Sequence, residues 1–327
     1  MKFELPPKFR QTIQNVFKED GDKFLFDLPN LVDEASHRWN LKDIQPVPNL
    51  SYNFVAFATR SERSGEAAQS KGSVILKIGV PNRELTSEMA ALRLFDGKGA
   101  ARLLNADEER GMFLMERVRP GEMLASLKID DQATHIAADV MLNLWRPAPA
   151  EGTFIKLSDW FKGFEKLRAR FDGGTGPLEK SLVEGAERAA AGFFSEDYAP
   201  MLIHGDLHHF NILSSGNNCT AGVMPAALRS GGMSPPGWLA IDPKGVIGPA
   251  AYEVGPLLIN PWGDETKISQ HTERRIAILA ERLGFERERI LKWGLAHAVL
   301  SAWWSLEEDG EWEFAMSCAE IFSKMKL

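Results

Sequence analysis

Two cysteines in 327 residues are too few for a disulfide framework, and neither Cys219 nor Cys318 stands in a CxxC pair. Bridge-stapled folds and zinc or dithiol chemistry are therefore set aside. No unbroken apolar run approaches the ~20 residues of a membrane helix, and the opening "MKFELPPKFR" is too polar for a signal peptide. The expectation is a soluble, cytoplasmic protein with no membrane partner. Basic excess is also missing: 38 Lys and Arg against 45 Asp and Glu give a net charge of −7, which argues against nucleic acid as partner and mildly for a neutral or cationic ligand. There is no internal repeat and no low-complexity tract. What remains is a chain of 44% hydrophobic composition, long enough for two core-forming units.

Texture changes along the chain mark the organisation. "FRQTIQNVF" sets Phe9, Ile13, Val16 and Phe17 at helical spacing, and "LPNLVDEASHRW" does the same with Leu28, Leu31, Val32 and Trp39. Pro46 and Pro48 then end helix formation. From Leu50 to Met115 short β-rich runs follow, "SYNFVAFAT", "SVILKIG" and "GMFLMERV", with the helical "ELTSEMAALRLF" between the last two. Beyond "RPGE" at 119–122 the chain reads as mainly helical, except around His204 and at "WLAIDPKG", Trp238 to Gly245. The stretch 214–237, rich in Gly, Ser, Asn and Pro, is too long for a plain turn and reads as a mobile excursion.

Chemistry concentrates in "HGDLHHFNIL", His204 to Leu213, a polar turn between two apolar runs. Asp206 and Asn211 form D-x-x-x-x-N, and Asp242 follows in "WLAID". Asn211 and Asp242 offer hard oxygen ligands that suit Mg²⁺, which leaves Asp206 to face a substrate hydroxyl. This is the division of labour of phosphoryl transfer. Three other readings stand beside it, one of them a catalytically weak nucleotide-binding module. Asp206 and Asn211 can simply hydrogen-bond their own turn, or His204, Asp206 and His208, alternating on one strand face, can form the metal cluster of a hydrolase. The hydrolase reading leaves Lys77, Glu88, Asn211 and Asp242 without a task.

Upstream residues bear on the choice. In "SVILKIG" the residues Val74, Leu76 and Ile78 share one strand face, so Lys77 projects from the other. In the next helix Leu85, Glu88, Leu92 and Phe95 fall on one stripe, placing a carboxylate on a packed face. A charge there needs a partner, and a Lys77–Glu88 pair satisfies both residues and fixes an ammonium for phosphates.

"LKIG", "SEMAALRLF", "MERVRPG", "HGDLHHFNIL" and "WLAIDPKGVIGPAAYEVGPLL" together resemble the bacterial aminoglycoside and hydroxyurea phosphotransferases, particularly the streptomycin 6-phosphotransferase branch. The resemblance runs from about Lys77 to the end of the chain. It implies an α+β, bilobal protein-kinase-like fold: residues 1–118 as a nucleotide-binding lobe of antiparallel sheet plus helix with a helical N-terminal extension, and 119–327 as a larger, mainly helical catalytic and acceptor-binding lobe. It implies ATP and Mg²⁺ as cofactors and a small-molecule acceptor bearing a hydroxyl, with Asp206 as the catalytic aspartate, Asn211 and Asp242 as magnesium ligands, and Lys77 with Glu88 positioning phosphate. The backbone of Glu116 to Val118 resembles the hinge that contacts adenine.

Two departures accompany the resemblance. The stretch expected to cover phosphates, "PNLSYNFV" at 48–55, contains no glycine, and the excursion at 214–237 separates Asn211 from Asp242 by more than a tight hairpin. Near the C-terminus, "LSAWWSLEEDGEWEF" sets Trp303, Trp304 and Trp312 beside Glu307, Glu308 and Asp309. The resemblance places acceptor binding there, where acidic groups would suit a guanidinium or ammonium sugar; a solvated acidic turn after a Trp-anchored helix fits the same residues.

Overall fold

The computed structural model describes residues 4–61, 72–216, 237–308 and 310–326. Most of the excursion after Ser214, with Cys219 and Asp309, lies outside the described residues. The chain divides into two compact units: residues up to Gly97 with 101–118, and 98–100 with Arg119 onward.

In the first unit short runs, alternating in burial along most of β2 and continuously apolar in β5, pair into an antiparallel sheet in the order β1-β2-β3-β5-β4. Its strands are β1 (Leu41–Pro46), β2 (Phe54–Arg60), β3 (Gly72–Ile78), β4 (Leu103–Asp107) and β5 (Met112–Glu116). Helix α1 (Pro7–Trp39) precedes the sheet and breaks at Lys18, whose φ of 52° is non-helical. Its buried Phe9, Ile13, Phe24, Leu28 and Val32 share one core with Phe54, Ala56, Val74, Leu76, Ile78 and Leu114 of the sheet. The N-terminal helix is thus structural cover for one sheet face, each large buried side chain contributing ~1.5–3 kcal/mol. Val16, grouped with that apolar set by its spacing, is 39% exposed. Helix α2 (Arg83–Phe95) starts where the Asn82 side chain accepts the Leu85 N–H and ends on Asp96 in left-handed conformation. It buries Leu85, Glu88, Leu92 and Phe95, the expected stripe.

The second unit is mainly helical: α3 (Asp130–Leu144), α4 (Leu157–Phe161), α5 (Gly163–Arg170), α6 (Lys180–Ser195), α7 (Val254–Leu258), α8 (Glu265–Leu283), α9 (Arg287–Glu307) and α10 (Glu313–Lys324). Its core centres on the fully buried Trp293 of α9, ringed by Phe161, Phe193 and Tyr252. Arg275 of α8, also fully buried, forms a two-toothed ion pair with Asp130 of α3 and donates to the Asn260 carbonyl at 2.6 Å. Two small sheets carry the polar loops. Strands β6 (Pro120–Met123), β10 (Ile212–Ser215) and β11 (Gly237–Ala240) form one, in the order β11-β10-β6. The other, in the order β7-β9-β12-β8, contains β7 (Arg146–Pro147), β8 (Ile155–Lys156), β9 (Met201–Ile203) and β12 (Val246–Gly248). Among the described residues no helix is long and apolar enough to cross a membrane.

Candidate active site

Lys77 and Glu88 meet as expected. Lys77 Nζ lies 2.7 Å from both Glu88 carboxylate oxygens, and both side chains are about 95% buried, their exposure being 5% and 6%. The Phe113 ring, 5.7 Å from the ammonium, adds an aromatic face. Such a pair holds an ammonium in one place, because either charge alone would be stranded in a dry site.

The glycine-free stretch forms the turn between β1 and β2, with the Val47 N–H donating to the Val55 carbonyl at 2.9 Å. The room it needs comes from a glycine elsewhere. A Cβ on Gly79, just past β3, would fall 2.0 Å from Asn53 Oδ1, so the absent side chain at 79 lets the turn fold down on the strand end. Glu116 ends β5 with its N–H donating to the Arg102 carbonyl at 2.9 Å and its carboxylate accepting from the Arg102 N–H at 2.8 Å. Val118 follows, 9% exposed.

In the second unit, β9 delivers the chain to His204 and β10 takes it away after Asn211. Between them the loop is pinned almost entirely through backbone. The His204 ring, buried, donates from Nε2 to the Ile241 carbonyl at 2.9 Å and accepts the Asp206 N–H on Nδ1 at 3.2 Å. One neutral tautomer satisfies both bonds, and burial pushes the imidazole down to about 3. His204 is therefore a brace, with both nitrogens spent. Among the described residues no group of three or more His, Cys, Asp or Glu side chains is arranged to hold a metal. The hydrolase cluster of His204, Asp206 and His208 fails on both counts, since alternation along a strand assumed free imidazoles that the fold consumes.

Gly205 has φ +90°, and a Cβ there would meet Val246 at 2.6 Å and the Trp160 ring at 3.0 Å. Only glycine fits this turn without strain. Asp206 follows, half-buried, its carboxylate 3.6 Å from His208 Nε2. Asn211 donates from Nδ2 to the Asp206 carbonyl at 3.0 Å, with His208 Nε2 3.3 Å from the same nitrogen, and Oδ1 is the amide atom able to bind a cation. The Ile241 N–H donates to the Asn211 carbonyl at 2.9 Å, and the pairing continues as Ile212 with Ala240 through Ser215 with Gly237. Asn211 and Asp242 therefore share one end of a β10–β11 hairpin, whatever the length of the connection at its other end. Asp242 has φ 61° and lies 3.6 Å from Lys244 Nζ, and the Lys244 N–H donates to the His204 carbonyl at 2.8 Å. An amide oxygen and a carboxylate at one hairpin end suit a hard divalent cation that takes its other ligands from phosphate or water.

Glu253, unremarked in the sequence, anchors the loop. Fully buried, its carboxylate accepts the His204 N–H at 2.7 Å and the Gly205 N–H at 2.9 Å, with the Leu207 N–H also directed at it. Burial raises its carboxyl to about 7, against the pull of those backbone donors. The signal available was a carboxylate inside the apolar run "AAYEVGPLL", where a charge must have a purpose.

Comparison with known proteins points one way. The sequence matches the family described as aminoglycoside/hydroxyurea antibiotic resistance kinase over residues 49–310. It is 29% identical over 297 residues to streptomycin 6-kinase of Streptomyces griseus, spanning 89% of this chain and 87% of that protein. Hydroxyurea phosphotransferase of Kitasatospora aureofaciens is also 29% identical, over 89% of this chain and 76% of that one. Among solved structures, choline kinase LicA from Streptococcus pneumoniae superposes with a TM-score of 0.59 at 12% identity, over 91% of this chain and 99% of that one. A thermostable mutant of an aminoglycoside phosphotransferase, in ternary complex with ADP and hygromycin B, gives 0.55 at 14% identity, over 89% and 97%. These likenesses establish a protein-kinase-like fold.

Proposed function

The chain belongs to the aminoglycoside/hydroxyurea antibiotic resistance kinase family, and from that premise we propose that it transfers the γ-phosphoryl group of ATP to a hydroxyl of a streptomycin-like aminoglycoside or of hydroxyurea. It is a phosphotransferase by family; the roles of its residues are inferred from geometry. The observation that carries them is the pairing of β10 with β11, which sets Asn211 and Asp242 at a single hairpin end, with Asn211 bonded through its amide to the Asp206 carbonyl.

In this reading the first unit is the nucleotide lobe. The Glu116 carbonyl and the Val118 N–H meet adenine, and the Lys77 ammonium, fixed by Glu88, neutralises phosphate oxygens. The second unit is the catalytic and acceptor lobe. Asn211 Oδ1 and the Asp242 carboxylate would hold Mg²⁺, which when bound supplies further charge neutralisation at the phosphates. Asp206 accepts a hydrogen bond from the acceptor hydroxyl, aims its oxygen, and takes its proton late in the transfer. His204 and Glu253 keep the Asp206 backbone still, so the carboxylate does not have to be ordered during the reaction.

The test combines calorimetry of ATP with and without Mg²⁺ and transfer of labelled γ-phosphate onto streptomycin and hydroxyurea. Mg²⁺-dependent nucleotide binding and label in at least one acceptor are expected. Absence of any Mg²⁺-dependent nucleotide binding overturns the reading.

A further inference from the structure

Three tryptophans near the C-terminus have three fates. Trp303 is 1% exposed and belongs to the core. Trp312 lines a separate cavity with Pro177, Glu179 and Met316. Trp304, half-buried, turns instead to Trp160 of α4, with ring centroids 5.4 Å apart and planes at 84°. Trp160 is also half-buried, packs edge-on against Tyr252 at 6.1 Å, and touches the space above Gly205, the residue immediately before Asp206. One partly exposed indole, Trp160, thus borders the loop that carries the candidate catalytic carboxylate, and a second, Trp304, packs against it.

Two carboxylates close to the indoles along the chain are already paired. Glu307, at the end of α9, pairs with Lys166 at 3.4 Å, and Asp159, next to Trp160, pairs with Lys162 at 2.7 Å. A cation reaching Glu307 or Asp159 meets an acid already balanced by a lysine, whereas an indole face attracts a cation with no counter-ion to displace. A planar guanidinium, or the C–H face of a sugar ring bearing an ammonium, matches that surface in shape as well as charge.

We infer that Trp160 and Trp304 form the acceptor subsite beside Asp206 and bind a guanidinium- or ammonium-bearing ring through their indole faces. This rests on the kinase reading above and deepens it: selectivity for a cationic ring comes from an aromatic pair. An acceptor seated there presents a hydroxyl to Asp206 while its charged group lies on the indoles.

The probe is streptomycin, a guanidinium-bearing aminoglycoside, tested by calorimetry and by steady-state transfer with Trp160→Leu, Trp304→Leu and the corresponding Phe variants. The Leu variants should raise both the dissociation constant and the KM for streptomycin roughly tenfold, with a smaller effect on kcat, and Phe should recover most of the loss. Melting curves identify any variant that fails to fold, and the Phe variants then carry the comparison through a graded loss. If folded Leu variants bind streptomycin as tightly as the unaltered protein, or if the unaltered protein binds Mg²⁺-ATP but not streptomycin, the subsite is overturned while the kinase reading stands. Absence of nucleotide binding in the unaltered protein removes both.

Discussion

Lys77 with Glu88, and Asp206 with Asn211 and Asp242, solve opposite problems. The first pair is sealed, each charge about 95% buried and satisfied by the other at 2.7 Å. The second group is half open, and its orientation is supplied from behind by His204, Glu253 and a hairpin register. A charge that acts by staying in one place can be buried with its partner. Groups that must exchange a proton, a metal and an acceptor have to remain accessible, so their rigidity is delegated to backbone bonds with buried side chains. Substitutions should therefore damage stability first in one region and chemistry first in the other.

The largest effect is expected at Asp206. Asp206→Ala should lose transfer by roughly 10³-fold, since positioning and proton acceptance both vanish, while nucleotide affinity is retained. Asp242→Ala should instead weaken Mg²⁺-ATP binding along with transfer, and raised Mg²⁺ should restore part of both. Calorimetry with single-turnover transfer separates the two. Equal loss of nucleotide binding in both variants would mean the loop is metal-binding or structural throughout.

Lys77→Ala strands Glu88 in a dry site and should cost about 3–5 kcal/mol of stability. The double variant Lys77→Met with Glu88→Leu should regain most of that stability by filling the site with apolar groups, yet remain inactive. Denaturant melts of the single and double variants give the coupling. A double variant as active as the unaltered protein would show that the pair is only structural.

Glu253 tests the rear support. Glu253→Gln keeps an acceptor for one or two backbone N–H groups, whereas Glu253→Ala leaves buried donors unsatisfied at ~1–3 kcal/mol each. Activity should fall through kcat more than through the KM for ATP, and more for Ala than for Gln. A change confined to melting temperature would reduce Glu253 to a packing residue.

How much of this could be read beforehand follows from the range of the interactions. Alternation in "SVILKIG" and the stripe of α2 place Lys77 and Glu88 on facing surfaces because both signals are local. The spacing of Asp206 and Asn211 is local in the same way, whereas the bilobal kinase-like fold was expected from resemblance to a family rather than from periodicity. A hairpin bringing Asn211 and Asp242 together was expected, but its register, Ile212 with Ala240 through Ser215 with Gly237, was not, because register belongs to strand pairing rather than to spacing. Strands β7, β8, β9 and β12, two or three residues long, are too short for any periodicity. Strand β1 was lost because Pro46 reads as a breaker, although proline is tolerated at the edge position this strand occupies. Trp160 gave no warning, since its partners Tyr252 and Trp304 lie far along the chain.

The last comparison concerns acid, where a single histidine carries a small share of the effect. Burial pushes His204, His209 and His297 down to about 3 from an ordinary 6.5. As pH falls below 6.5 the unfolded chain takes up protons at these positions and the folded chain does not, so stability drops progressively until about pH 3. Glu253 acts in the other sense. Its folded carboxyl, raised to about 7 from 4.5, holds a proton that the unfolded chain has lost, so its contribution is present below 4.5 and disappears as pH rises through 7. Between 4.5 and 6.5 it offsets one of the three histidines. The net slope is then about two protons, on the order of 2–3 kcal/mol per pH unit as an upper estimate. His209 isolates one share of this. It is 3% exposed, and neither ring nitrogen has a hydrogen-bond partner among the described residues, so His209→Leu removes a titrating group without breaking a bond. The variant should be about as stable as the unaltered protein at pH 7 and lose less melting temperature between pH 7 and pH 5. An unchanged acid slope would show that His209 is already protonated or hydrated in the folded protein, and that the candidate catalytic loop is wetter behind than its closed packing implies.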